Sequence, residues 1–184
     1  MEFKFESILQ ICKEGKNFSY MKDEDGCQWI GDGNAFYFVS TEKPFTNEYL
    51  TACAKLSKKD FDIVEFHPIN LYDQFELEAD IENEKPCGRA SFDICINKTT
   101  YKIVYTSEGA RLIPEKYLKV FDDYDIFEKH DDAGMYFAIK QGMFVKAVIA
   151  DEWKDVLTVH VPGISKFADD AMKAANGLQL EMER

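Results

Sequence analysis

The chain has 184 residues, 46% of them hydrophobic, with 34 Asp and Glu against 22 Lys and Arg and a formal net charge of −12 at pH 7. That length and apolar content suit one domain with a sizeable core and exclude a chain too polar to fold. The acidity excludes a general nucleic-acid-coating protein, which needs Lys and Arg to displace counterions from phosphates, but leaves room for a local basic face.

The first predicted elements are a short strand, "EFKF", and a helix, "ESILQICKEG", in which Ile8, Leu9 and Cys12 recur at helical spacing before Gly15 ends the pattern. From Phe18 to Val39 the pattern is strand-like. Gly31-Asp32-Gly33-Asn34 separates "QWI" from "AFYFV" and reads as a hairpin turn, since Asp-Gly supplies the positive φ that such turns need. Thr46 then caps a helix with Tyr49, Leu50, Cys53 and Leu56 on its apolar side. "FDIVEF" reads as a strand closed by His67-Pro68, and "QFELEADIE" as a further strand or edge. A linker is expected near residues 82–90.

Beyond it, "SFDICI" and "YKIVYT" form a hairpin around Asn97-Lys98-Thr99. "RLIPEKYLKVFDD" gives a short helix whose Pro114 suits a first turn, with Tyr117, Leu118 and Phe121 on one side. Three strands follow, "DIFEK", "MYFAIK" and "FVKAVIA", broken at Asp131-Asp132-Ala133-Gly134 and at Gln141-Gly142. "VLTVHV" adds a strand, and Ser165 caps a last helix in which Phe167, Ala168, Ala171, Met172 and Ala175 share a face. Fifteen Phe and nine Tyr favour a sheet-rich interior throughout.

Two strings recur. "DFDIVEF" at Asp60 and "DYDIFEK" at Asp123 both read Asp, aromatic, Asp, Ile, apolar, Glu, and each follows a Tyr-Leu pair, Tyr49-Leu50 and Tyr117-Leu118. The shared order predicts that 46–66 and 113–129 adopt the same helix-then-strand shape, with all four Tyr and Leu side chains in the core.

"GDGNAF" has Phe36 where a dinucleotide fingerprint needs a third glycine, and strand follows where a helix should begin. "GISKF" has Phe167 at the last position of the nucleophile-elbow pattern. His67, His130 and His160 stand far apart, and His130 with Asp131 and Asp132 reads as a hairpin tip more readily than as a cation site. No catalytic residue, metal ligand or cofactor is assigned. Asp60, Asp62, Asp123 and Asp125 would each pair their carboxylates on one face if they lay on strands, but read better as helix-to-strand junctions. Lys55, Lys58, Lys59, Lys116 and Lys119 fall on or just after the two repeat helices and form the candidate nucleic-acid-binding patch, diluted by Glu48, Glu115 and Asp122.

The order of elements resembles the DNA sliding clamp fold, whose domains consist of two β-α-β-β-β units with helices on one side of a curved sheet. "MEFKFESILQICKEG" is similar to a clamp domain's opening strand and first helix, and "RLIPEKYLKVFDDYDIFEKHDDAGMYFAIKQGMFVKAVI" to a unit's strand end, short helix and three strands. The resemblance spans roughly residues 1–150 and rests on order and spacing, without a diagnostic motif. It implies a single domain over 1–184 of the α+β class: an antiparallel sheet with two β-α-β-β-β-like repeats at approximately 1–81 and 90–150, then a strand and C-terminal helix in 151–184. Family clamps line their ring with basic helices and assemble six such domains, whereas these helices carry mixed charge and the chain supplies one.

The leading functional expectation is a non-enzymatic interaction protein of clamp-like fold linked to DNA metabolism, self-associating or binding a protein partner, with no small-molecule ligand. Two rivals fit the same residues: an acidic DNA mimic that occupies a DNA-binding partner, and a metal-dependent enzyme using the paired aspartates. Five cysteines, Cys12, Cys27, Cys53, Cys87 and Cys95, odd in number and never spaced Cys-x-x-Cys, point to a reducing cytoplasm. The opening lacks the basic and apolar regions of a signal peptide, and no apolar run approaches the roughly 18 residues of a membrane span.

Overall fold

The computed structural model describes residues 4–22, 28–41, 43–73, 75, 77, 84–131 and 134–151. Helix α1, Phe5–Gly15, buries Ile8, Leu9, Ile11 and Cys12 on one face and ends at Lys16, whose φ of 57° forms a left-handed cap. A meander follows: β1 (Asn17–Lys22), β2 (Gln28–Gly31) and β3 (Ala35–Val39). The β2–β3 turn demands its first glycine, because a Cβ on Gly31 would sit 1.8 Å from the Ala35 carbonyl oxygen; Gly33 takes φ +97°.

Helix α2, Asn47–Cys53, starts where Thr46 Oγ1 accepts the Tyr49 amide at 3.1 Å. Helix α3, Lys58–Phe61, opens with a reciprocal box between Ser57 and Asp60. Strand β4 (Glu65–Pro68), a 3-10 turn (Leu71–Asp73) and the two-residue β5 (Lys85–Pro86) complete the first part. Then come β6 (Gly88–Ile96), β7 (Thr99–Thr106), β8 (Gly109–Pro114), α4 (Glu115–Leu118) and a second meander of β9 (Asp125–Asp131), β10 (Gly134–Gln141) and β11 (Phe144–Ala150).

The fold is α+β and mostly strand. An eight-stranded sheet has the order β4-β1-β2-β3-β11-β10-β9-β5, and a three-stranded sheet the order β6-β7-β8. All pairings are antiparallel except β1 with β4, which makes the large sheet mixed. At its centre β3 pairs with β11, so the two meanders meet edge to edge, each preceded by a helix.

Alternation along the strands separates two cores. Phe18, Ile30, Tyr37, Phe137, Ile139 and Ile149 face the layer that holds Leu9 of α1, Leu50 of α2 and Leu118 of α4, so these three helices cover one face. Met21, Trp29, Phe36, Tyr136 and Val148 face the other way, against Leu71, Phe75 and Leu77. Burial on both faces explains why the central strands read as nearly continuous apolar runs.

Segments 46–66 and 113–129 both run helix then strand, as expected, but the two acidic strings do not occupy equivalent places in them. In the first, Asp60 and Phe61 end a helix and strand begins only at Glu65; in the second, strand runs from Asp125. The local cause is Ser57, whose side chain captures the Asp60 amide and pulls these residues into a helical turn. Strand β4 lies parallel to β1 at one edge, while β9 lies antiparallel to β10. The expected linker at 82–90 is also corrected: Glu84 is buried and β5 and β6 begin there. At the start, Phe5 belongs to α1 rather than to a strand. Most of "QFELEADIE" and the whole of 152–184, with its expected strand and C-terminal helix, lie outside the described residues.

Leu50, Tyr117 and Leu118 are core residues as expected, whereas Tyr49 is only half-buried. Leu118→Ala should therefore cost about 2 to 5 kcal/mol in urea unfolding, through lost transfer energy and a cavity. Ile63→Ala, at a position 54% exposed, should stay within about 0.5 kcal/mol of the parent.

Candidate functional site

The five lysines of the expected patch have different surroundings. Lys55, Lys58 and Lys59 are exposed on the α2–α3 corner, and Lys55 takes φ 51°. On α4, Lys119 pairs with Glu115 at 2.7 Å, and Lys116 reaches Asp32 Oδ2 at 3.3 Å while lying 4.4 Å from the centre of the Tyr117 ring. Helix α1 is tied to both groups, through Lys13 to Asp60 at 3.0 Å and through Lys4 to Asp122 at 2.6 Å. The exposed carboxylates of Glu14, Glu48, Asp62, Asp122 and Asp123 share this layer. Ammonium and carboxylate groups are thus interspersed across the helix face, and the long-range field needed to steer a polyanion is largely cancelled.

The turn that reads as "GDGN" carries a function the sequence reading missed. Asp32 Oδ1 accepts the amides of Asn34 and Ala35, each at 3.1 Å, while Oδ2 accepts the Tyr117 hydroxyl at 3.0 Å. The Tyr37 hydroxyl in turn donates to the Tyr117 carbonyl at 3.1 Å. One carboxylate therefore shapes the β2–β3 turn and anchors α4 more than 80 residues away in sequence. Gly15 makes room for it, since a Cβ there would lie 3.0 Å from Asp32 Cβ. Burial, reinforced by the Asp32 charge, pushes both the Cys12 thiol and the Tyr37 phenol well above their ordinary ranges, which keeps them protonated. The only local hint was an Asp two residues before Asn34, able to bond backbone amides ahead of it.

Two further charged joints lie on β9 and β10. Glu84, Lys129 and Lys140 are all buried; the Lys140 ammonium donates to Glu84, and Lys129 approaches it at 3.7 Å. This network clamps the segment before β5 onto the large sheet. Buried Glu128 accepts the Ser107 amide at 2.6 Å and the Ser107 hydroxyl, with His130 4.0 Å away. A Ser, a Glu and a His thus come together, but the hydroxyl donates to the carboxylate and not to the imidazole, an arrangement that docks the β7–β8 turn on β9. Beside it, burial and then Glu128 push the Cys87 thiol up to about 12, far from a reactive thiolate.

The paired aspartates are dispersed. Asp60 belongs to the α3 box, Asp62 follows it as an exposed cap, Asp123 precedes β9, and Asp125 is exposed at its start. All four thus stand at helix-to-strand junctions, as expected, and Asp60 and Asp62 do not lie on a strand that would pair their carboxylates on one face. Asp131 Oδ1 accepts the Gly134 amide at 3.0 Å, as a hairpin tip requires. Among the described residues no three His, Cys, Asp or Glu side chains are grouped to hold a metal ion.

Asp32→Ala should lower stability by about 2 to 3 kcal/mol, because it takes the acceptor from two turn amides and from the Tyr117 hydroxyl. Lys116→Ala should cost under about 1 kcal/mol, since that ammonium is partly solvated. Equal effects in chemical denaturation would contradict this division. Asp60 gives a pH test: the Ser57 amide and then Lys13 lower its pKa from 3.8 to about 2. Its stabilising contribution is complete above pH 4 and fades as the pH falls through about 2. A carboxyl NMR titration with a midpoint near 3.8 would show that the box is not formed in solution.

Comparison with known proteins found no family model, no curated protein and no solved structure that matches this chain.

Proposed function

We propose that this chain is a non-enzymatic interaction protein on a clamp-like frame, acting in the cytoplasm by self-association or with a protein partner. The observation that carries the reading is the repeated order of helix and meander, α1-β1-β2-β3 and α4-β9-β10-β11, meeting at β3 and β11 with both helices in one core. Such an order matches the α-β-β-β part of a duplicated β-α-β-β-β unit, while the strand before α4, β8, lies in the smaller sheet. It pairs α4 with α1, not with the α2 segment that the acidic strings suggested. Cys12, Cys53, Cys87 and Cys95 are free thiols, which suits a reducing compartment. No helix among the described residues is long and apolar enough to cross a membrane.

The surface for association is the edge of β6. The edges of the large sheet are blunted, β4 by its four-residue length and Pro68 and β5 by its two residues and Pro86. Strand β6 is nine residues long, and its one partner among the described strands is β7. On a protein of net charge −12, this edge is locally neutral. Its two charged residues are engaged within the fold: Arg89 on the Tyr124 carbonyl at 3.3 Å, Asp93 on Lys102 at 2.6 Å. Two copies approach with least repulsion there.

Light scattering across a salt series tests the reading. Self-association should strengthen from about 50 mM to about 500 mM salt as the net charge is screened. Ser91→Pro, in the stretch between Arg89 and Asp93 where pairing with β7 is interrupted, should restore the monomer. Any contact of the lysine patch with duplex DNA should weaken over the same series. A monomer at every salt concentration, with no duplex bound at low salt, contradicts self-association and a clamp-like action on DNA and leaves the binding of a protein partner as the reading.

A further inference from the structure

We infer that the tip of the β10–β11 hairpin is the docking site for a protein partner, through a segment that carries an acidic side chain beside apolar ones. This site rests on the reading of the chain as an interaction protein and names the chemistry of its partner. Met143 and Phe144 are each 70% exposed, more than any other large hydrophobic side chain among the described residues. A loose loop does not account for them. Gln141 pairs with Phe144 across the tight turn Gly142-Met143, whose glycine takes φ 62°.

Phe144 and Lys146 are alternate residues of β11 and share a face. Lys146 Nζ lies 5.3 Å from the centre of the Phe144 ring and 5.0 Å from that of Phe38 on β3, and Phe38 meets Trp29 edge to face at 5.7 Å. Trp29 is buried. A row of rings with one cation in it therefore runs from the core to the tip. Among the described residues the Lys146 ammonium makes these ring contacts and no ion pair.

The occupant follows from these groups. An ammonium lodged between two rings has already shed part of its water, so a carboxylate brought to it forms a charge-assisted hydrogen bond with little further desolvation. Met and aromatic side chains characterise interface centres, and here they call for apolar groups next to that carboxylate. A polyanion does not fit. Nucleic acid and anionic bilayers are held by several cations together, whereas Asp123 and Asp125 line a cavity with Gln141 and Gly142 at the base of this tip. The tip belongs to the large sheet and the β6 edge to the smaller one, so the two surfaces are separate.

Selection of short random peptides displayed on phage against the full chain tests the inference. Enriched peptides should carry Asp or Glu next to Leu, Ile, Phe or Met. Their synthetic forms should bind about tenfold or more weakly to Phe144→Ala and to Lys146→Glu in fluorescence anisotropy, while the urea midpoints of both variants stay at that of the parent. Selection on Lys146→Glu should enrich Lys or Arg in place of the acids. Ser91→Pro, at the β6 edge, should leave the binding unchanged. Peptides whose affinity survives both tip substitutions would overturn the site and keep the partner reading; no enrichment at all would overturn both. Tighter binding of a labelled single-stranded oligonucleotide or of vesicles with anionic lipid, lost in Lys146→Glu, would assign the tip to a polyanion and also overturn it.

Discussion

The antiparallel pairing of β3 with β11 holds together two meanders that the chain builds more than a hundred residues apart. Ala35 faces Ile149, Phe36 faces Val148 and Tyr37 faces Ala147 across this seam. Ala35 and Ala147 are fully buried. Their small side chains leave space on the helix face that Tyr37 occupies, and from there its hydroxyl reaches the Tyr117 carbonyl. The Ala150 amide adds a bond to the Asn34 carbonyl at 2.8 Å where the seam runs into the β2–β3 turn. Asp32, in that same turn, holds α4. Backbone ladder, core packing and a buried carboxylate thus converge on one place.

Buried charge is the second organising feature of this acidic chain. Asp32 joins the β2–β3 turn to α4, Glu84 joins the start of β5 to β9 and β10, and Glu128 joins the β7–β8 turn to β9. Each sits where elements distant in sequence meet. Magnitudes favour these joints over the more numerous surface pairs: an exposed ion pair contributes about 1 kcal/mol at most, whereas stripping a partner from a buried carboxylate network costs about 2 to 5 kcal/mol. The lysines that look available in the sequence divide accordingly. Lys129 and Lys140 are buried, Lys116 is drawn to Asp32, and those left at the surface stand among carboxylates.

What the sequence disclosed is what local chemistry decides. The glycine-bracketed turn at 31–34, the Thr46 cap and the Asn97-Lys98 hairpin, where both residues take positive φ, depend on atoms a few residues apart. The second meander was legible for the same reason, because its breaks carry turn residues. What stayed hidden depends on distant partners. No local signal reveals that β4 runs parallel to β1, or that Glu84 meets two buried lysines, since Lys and Glu ordinarily mark a solvated surface. The acidic string at Asp60 misled because Ser57 competes for the same backbone, and a capping box outweighs strand propensity over four residues. The lysine patch was legible as residues but not as a surface, because the carboxylates that neutralise it come from α1, α2 and the segment after α4.

Native-state hydrogen exchange at the β3–β11 seam most directly tests whether the two meanders form one cooperative unit. If the seam holds the frame, the amides bonded between 35–37 and 147–149 exchange only by global unfolding, with the same free energy as the best-protected amides of β2 and β10. Exchange at the seam by a lower-energy opening, while β1–β2 and β9–β10 remain protected, would show two halves that separate before they unfold and would contradict the account.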